Sequence, residues 1–485
     1  MERSEPLSPA RNRRTDELEA FRSEASRALD WAADYLANSE RYPVLSPVSP
    51  GDIRELLPES PPEKGVGFES TVEEIQRVIV PGATHWNSPG FMAYFGTTAS
   101  PPGILGELYT AVLNQNALVW QASPAITEVE PVILDWLRQM VGLPAGWFAI
   151  TYDTASISTL CGVAAAREAA LPGVGERGLD GSAGLRMYAS EESHSVVDKA
   201  AMILGIGRDN VVKIATDEAF RMVPERLEAA IQTDLAANRK PFCVVATVGT
   251  TASTAVDPVG PIAEIRREHG IWLHVDAAYG GSAAILPEMR WIFDGVEKAD
   301  SLCLNPHKWL AVPVDLSAFF TRRPGSLKRA FTFVKPYLET DHDESVVNLT
   351  NYGPQLGRRF RGLKLWLVIR AYGVEGLQAM IRRHIELARD FECWVDGHSD
   401  FELLAPRHFS TVCYRANPAG VDPSRLDELN RGIMTEVNAS GRVFISLAVL
   451  RGQFTLRMAI GNMWTETEHV DALKQELERA VSALT

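Results

Sequence analysis

Between residues 15 and 37, apolar side chains return every three or four positions: Leu18, Phe21, Ala25, Leu29, Ala32 and Leu36. That period lays one apolar stripe along a helix and predicts a long amphipathic helix in need of a partner surface. Pro43, Pro47 and Pro50 then predict an extended connector. A second helix is expected from Ser70, which stands at capping-box spacing from Glu73.

From about residue 93 to 366 the pattern changes to short apolar runs alternating with helical ones. Arg186–Ala189, Phe242–Thr247, Ile271–Val275 and Leu302–Leu304 read as strands, and Pro261–His269 as one of the helices between them. Such alternation predicts an α/β domain with a mostly parallel sheet, whose ligands collect at the carboxyl ends of strands. The last portion differs. Strand-like Thr411–Tyr414, Val443–Ser446 and Phe454–Met458 precede a helix over 467–484, which predicts a small α+β unit with an antiparallel sheet.

Composition narrows the function classes. The 485 residues exceed one ordinary core, so two or three packed units are expected. A hydrophobic content of 46% with 23% charged residues is that of a globular protein, and no apolar stretch approaches a membrane span. The net charge of −14 argues against a nucleic-acid surface. The basic cluster Arg358, Arg359, Arg361 and Lys364 is read as structural pairing within a site wall. Five cysteines without metal-ligand spacing predict reduced thiols, a cytoplasmic location and no metal site.

The candidate chemistry centres on Lys308, in the frame Asn305-Pro306-His307-Lys308-Trp309, and on Asp276, at the end of the run His274-Val275-Asp276. Trp309, Leu310 and the run Ser301–Leu304 surround the lysine with apolar groups, which disfavours its ammonium form. A neutral lysine amine adds to aldehydes, and pyridoxal phosphate is the aldehyde cofactor that uses one. That cofactor also takes an acid against its pyridine nitrogen, a role open to Asp276. Taken alone, the pair reads as well as a snorkelling lysine and a helix-capping aspartate. A phosphate site is predicted where Asp153-Thr154-Ala155-Ser156 opens the helical run Ile157–Ala170, because helix N-termini offer free amide donors.

Further segments recur in one order along the chain: Asn87–Phe95, Trp120–Ala125, Ser193-His194-Ser195, Val248–Thr251, Pro336-Tyr337-Leu338 and Leu356–Arg361. On these and the lysine frame, the chain resembles the group II pyridoxal-phosphate-dependent decarboxylases of the aromatic-L-amino-acid decarboxylase family. The resemblance implies a fold-type I α/β enzyme working as a homodimer. Its units would be an N-terminal helical arm forming the dimer (1–92), a large cofactor-binding domain (93–366) and a small C-terminal α+β domain (367–485).

The resemblance also assigns roles. Lys308 would carry pyridoxal 5'-phosphate, Asp276 would face its ring nitrogen, and His194 would stack on the ring and reach the substrate carboxylate. Ala155, Ser156 and Asn305 would hold the phosphate, and Thr251 and His307 would line the cofactor. Asp153 replaces a small residue, so its carboxylate has to point away from the dianion. Tyr94, Phe95, Thr97, Leu118, Trp120 and Gly357 would belong to the substrate pocket, with Leu118 replacing a family phenylalanine that reaches across the dimer. Tyr337, in the polar stretch 335–354, would close over the site as a lid and protonate the substrate carbon. The implied reaction is decarboxylation of an aromatic L-amino acid to an arylalkylamine. An oxygen-using aldehyde synthase usually has phenylalanine in place of Tyr337; a cofactor-binding dimer without catalysis is the third reading.

Overall fold

In the computed structural model, the described residues are 9–179, 184–332 and 346–485. Seven strands form the central sheet: β2 (Phe148–Tyr152), β3 (Leu185–Ser190), β4 (Val211–Ile214), β5 (Lys240–Thr247), β6 (Trp272–Asp276), β7 (Ser301–Leu304) and β8 (Ser317–Thr321). Their spatial order is β2-β8-β7-β6-β5-β3-β4. All neighbours from β7 through β4 run parallel, and β8 pairs antiparallel with both β7 and β2. This is the α/β architecture of fold-type I enzymes.

The inner strands read as continuous apolar runs because helices cover both faces. Along β5, Cys243 and Val245 enter one core layer while Val244 and Ala246 enter the other. Each fully buried aliphatic side chain contributes roughly 1.5–3 kcal/mol relative to exposure. The same alternation sends Trp272, His274 and Asp276 of β6 to the face covered by the helix Ala155–Ala170.

A second sheet has the order β1-β11-β12-β10-β9, built from β1 (Phe91–Met92), β9 (Phe401–Leu403), β10 (Thr411–Ala416), β11 (Phe444–Leu450) and β12 (Gln453–Ala459). The expected antiparallel pairing is present, with β12 between β10 and β11, and β1 joins in parallel to β11. Phe91 and Met92, placed in the N-terminal arm by the sequence reading, thus complete the C-terminal sheet. The helix Gly362–Gly397 crosses the expected boundary at 366 and breaks at Gly373, whose φ of 64° only glycine adopts readily.

The first helix spans Pro9–Ala37, and Leu18, Phe21 and Leu29 remain exposed along it. The second corrects the expected start. It runs Phe68–Glu74 from Gly67, at φ 83°, so Ser70 lies inside it and caps nothing. Among the described residues no helix is long and apolar enough to cross a membrane, and no acidic, histidine and cysteine group could hold a metal ion. All five cysteines are free.

Candidate active site

The carboxyl ends of β5, β6 and β7 open on one cavity of about 210 Å³. Phe95, Thr154, Ala155, Ser156, His194, Thr247, Thr251, Asp276, Asn305, His307 and Lys308 all line it. Nine of these were named from the sequence; Thr154 appeared only within the segment that opens the phosphate-site helix and Thr247 only within a strand.

Lys308 sits in the single turn Pro306–Trp309 directly after β7. Burial lowers the pKa of its amine, Asp276 and Cys303 oppose that shift, and Arg457 adds to it. His307 is fixed against the Leu316 backbone, with Nδ1 2.7 Å from the carbonyl oxygen. Burial, and then Lys308, lower its pKa to about 4, so it is neutral near pH 7.

Asp276 ends β6 and is buried. Its Oδ1 accepts from the Ala278 amide at 3.1 Å and from the Cys303 thiol at 3.7 Å. His194 stands at the open side of the cavity, where its Nδ1 accepts from the Val196 amide at 3.1 Å and leaves the proton of the neutral ring on Nε2. Surrounding bulk lowers its pKa, Asp276 opposes that, and Lys308 and Lys199 reinforce it.

The helix Ala155–Ala170 points its N-terminus at the cavity, where the Ala155 and Ser156 amides precede the first helical hydrogen bonds, which Ile157 and Ser158 donate to the Thr154 carbonyl. The Asp153 carboxylate is turned aside. Its Oδ1 accepts from the Thr154 amide at 2.5 Å and its Oδ2 from Gln355 Nε2 at 3.3 Å, and it does not line the cavity. Gly249, at φ 90°, lets the loop after β5 run against Gly280, whose amide nitrogen would lie 3.0 Å from an added Cβ.

The lining fits a bound phosphate ester with a polar ring. Two buried polar atoms there, Thr247 Oγ1 and Asn305 Oδ1, have no hydrogen-bond partner among the described residues. Buried groups of this kind are costly unless something in the site satisfies them.

The chain matches the model of the "Pyridoxal-dependent decarboxylase conserved domain" over residues 50–417. The chain belongs to the pyridoxal-dependent decarboxylase family. It is 40% identical to an aromatic-L-amino-acid decarboxylase of Catharanthus roseus, over 94% of this chain and 92% of the relative. The Oryza sativa TDC solved with PLP and tryptamine superposes with a TM-score of 0.93 at 37% identity, covering all of both chains. A Rhodiola rosea 4-hydroxyphenylacetaldehyde synthase gives 0.90 at 35% identity, over 96% of this chain and 99% of that one. The chain is a fold-type I decarboxylase that uses pyridoxal 5'-phosphate.

Other expected residues of this decarboxylase lie outside the cavity. Tyr94 is exposed at φ 52°, and Thr97 does not reach the lining. Leu118, Trp120 and Gly357 form a separate patch, where Asn116 Oδ1 accepts from the Arg358 amide at 2.9 Å and the Trp120 indole N–H donates to Glu128 at 2.8 Å. A Cβ at Gly357 would meet the Asn116 amide at 3.3 Å. Tyr337 lies outside the described residues. The basic cluster is structural, as expected: Arg358 pairs with Glu130, Arg359 and Lys364 with Glu107, and Arg361 with Asp315.

Of the wall behind the lysine, Phe95 and Trp309 were legible in the sequence, whereas Tyr279 and Arg457 were not. Phe95 stacks on Tyr279 with ring centroids 3.8 Å apart, and Tyr279 on Trp309 at 4.8 Å. The buried guanidinium of Arg457, from β12, lies 4.6 Å from the Phe95 centroid and donates to the Ala252 carbonyl. The one available signal was the aromatic frame around Tyr279; nothing near Arg457 in sequence marks it.

Proposed function

We propose that the chain converts an aromatic L-amino acid to its arylalkylamine and CO2, with Lys308 as the covalent anchor of the cofactor. The observation that carries this reading is the convergence of the Lys308 amine, the Asp276 carboxylate, His194 and a helix N-terminus on one cavity.

When bound, the cofactor supplies an electron sink for the pair left as the carboxylate departs. The protein's part is placement. Ala155 and Ser156 would offer amides to the phosphate, Asn305 and Thr247 would gain from the cofactor the partners they lack, and Asp276 would face the ring nitrogen. His194 covers the open face and orients the substrate carboxylate, so that the bond from Cα to that carboxylate is the one aligned to break. The neutral form of Lys308, favoured by burial, is the nucleophile that holds and releases. Tyr337 is the proposed donor of the proton that Cα needs once CO2 has left.

The working unit is proposed to be a homodimer. Leu105, Leu108, Tyr109, Val112 and Leu113 are all exposed on the helix Pro101–Leu113, as are Leu18, Phe21 and Leu29 on the first helix. Apolar surface of this extent marks an interaction site. The aromatic side-chain pocket would then be completed at the subunit boundary by the patch around Leu118, Trp120 and Gly357.

Mass-spectrometric product analysis with cofactor and a panel of aromatic L-amino acids, in air, tests the reading. Amine with CO2 is expected. Aldehyde with ammonia and peroxide would transfer the chain to aldehyde-synthase chemistry, and no turnover would leave a cofactor-binding protein.

A further inference from the structure

Trp272, His274 and Asp276 alternate along β6 and therefore share one face of the sheet. Beside them on β7, Ser301 stands opposite His274 and Cys303 opposite Asp276. The five side chains make one continuous buried line. The Trp272 indole nitrogen lies 2.9 Å from Ser301 Oγ, and that oxygen lies 2.9 Å from His274 Nδ1. His274 Nε2 lies 3.9 Å from Cys303 Sγ, and Sγ lies 3.7 Å from Asp276 Oδ1.

The two ends dictate the direction of every link. An indole N–H only donates, and a carboxylate only accepts. Ser301 therefore receives from Trp272 and donates to His274 Nδ1. The imidazole, with its proton on Nε2, donates to sulfur, and the thiol donates to Asp276. The protonation states agree with this order. Burial lowers the pKa of His274 to about 4, so the ring is neutral near pH 7. Burial, and then the Asp276 charge, raise Cys303 well above an ordinary thiol and keep its proton in place.

The helix that carries the phosphate cup is shaped around this line. A Cβ at Gly162 would lie 3.0 Å from His274 Nδ1, so glycine admits the ring. Thr159, from the same helix, faces the thiol. At the far end, Asp276 Oδ1 is held twice, by Cys303 and by the Ala278 amide. No described residue holds Oδ2, and Asp276 lines the cavity.

We propose that Cys303 and His274 are positioning residues that hold the Asp276 carboxylate aimed into the cavity, as the last links of a one-way hydrogen-bond relay from Trp272. The proposal rests on the reading of Asp276 as the partner of the cofactor's ring nitrogen. Tying Oδ1 to the sheet leaves Oδ2 as the atom presented to the ring, at an orientation fixed before the cofactor arrives.

Two measurements on the apoenzyme test it. The first is the infrared S–H stretching band of Cys303, identified by its loss in Cys303→Ala. A thiol that donates to a carboxylate absorbs at lower frequency than a free one, so Asp276→Ala should move the band up. The second is the dissociation constant for pyridoxal 5'-phosphate, followed by quenching of tryptophan fluorescence. Asp276→Asn should weaken binding by at least about tenfold, because a hydrogen bond to a charged group is lost. Cys303→Ala should weaken it by about threefold to tenfold, and Cys303→Ser, which still donates, should restore it to within about twofold. Should Asp276→Asn weaken binding while Cys303→Ala does not and the band stays put, the relay is wrong and the reading of Asp276 stands. Equal losses in Cys303→Ala and Cys303→Ser would make Cys303 a packing residue and also overturn the relay. Wild-type binding by Asp276→Asn would remove the ring-nitrogen reading itself. If Cys303→Ala does not fold, the band is identified in Cys303→Ser, and its response to Asp276→Ala decides.

Discussion

The Lys308 amine lies over the Phe95 ring, 5.1 Å from its centroid. The face of an aromatic ring attracts a cation, so Phe95 favours the ammonium form while burial favours the neutral amine. The two influences oppose each other at the atom proposed to bind the cofactor.

Replacing the ring by an aliphatic side chain should tip that balance. In Phe95→Leu, the pH midpoint for borohydride trapping of the cofactor should move down, since burial then acts against less opposition. Trapping rates across a pH series check this. A midpoint that moves up would show that Phe95 does not stabilise the cation.

Thr247 gives a test in which stability and binding part company. Its buried hydroxyl has no partner among the described residues. Thr247→Val should stabilise the apoenzyme by about 1 kcal/mol, because an unsatisfied group is removed. It should weaken cofactor binding severalfold. Denaturation midpoints with and without pyridoxal phosphate measure both, and a variant destabilised in the absence of cofactor would contradict this use of Thr247.

Glu130 and Arg358 form a buried pair that fastens the sheet edge to the Gly357 patch. Arg358 Nη2 donates to Glu130 Oε1 at 2.8 Å and to the Thr151 carbonyl at 2.7 Å. Glu130→Ala should cost about 3–5 kcal/mol, since it strands a buried cation. Glu130→Ala combined with Arg358→Met should recover most of that loss. Equilibrium urea unfolding of the three variants reads the recovery directly.

His384 ties stability to pH. It is buried and accepts from the Trp309 indole at 2.9 Å, and burial lowers its pKa to about 3. The folded state keeps this ring neutral while the unfolded chain protonates it near 6.5. The contribution is therefore complete above 6.5 and is lost progressively as pH falls toward 3. By pH 5 the loss is about 2 kcal/mol from this residue alone. His384→Gln, which retains an acceptor, should show a smaller fall in urea midpoint between pH 7 and pH 5 than the wild type.

The part of the site legible in the sequence was the part carried by strand ends. Asp276 and Lys308 follow apolar runs that predict parallel strands, and the topology of such sheets sends both to one edge. The helix after Thr154 was legible for the same reason. The relay was not. Joining His274 to Cys303 depends on the register of β6 against β7, which residue spacing does not contain. Asp153 required knowing that Gln355, far along the chain, draws its carboxylate aside. Leu118, Trp120 and Gly357 were named through resemblance, yet they stand apart from the cavity within one chain. The small sheet was legible from its alternating strands, except for β1, which is too short to carry a pattern and comes from the opposite end of the sequence.

The most direct test of the account is to reduce the holoenzyme with borohydride, digest it and locate the added cofactor mass by peptide sequencing. The account predicts the mass on the peptide containing Lys308 and its absence in Lys308→Ala. A label on Lys364, the buried lysine paired with Glu107, or an unchanged label in the variant, would contradict it.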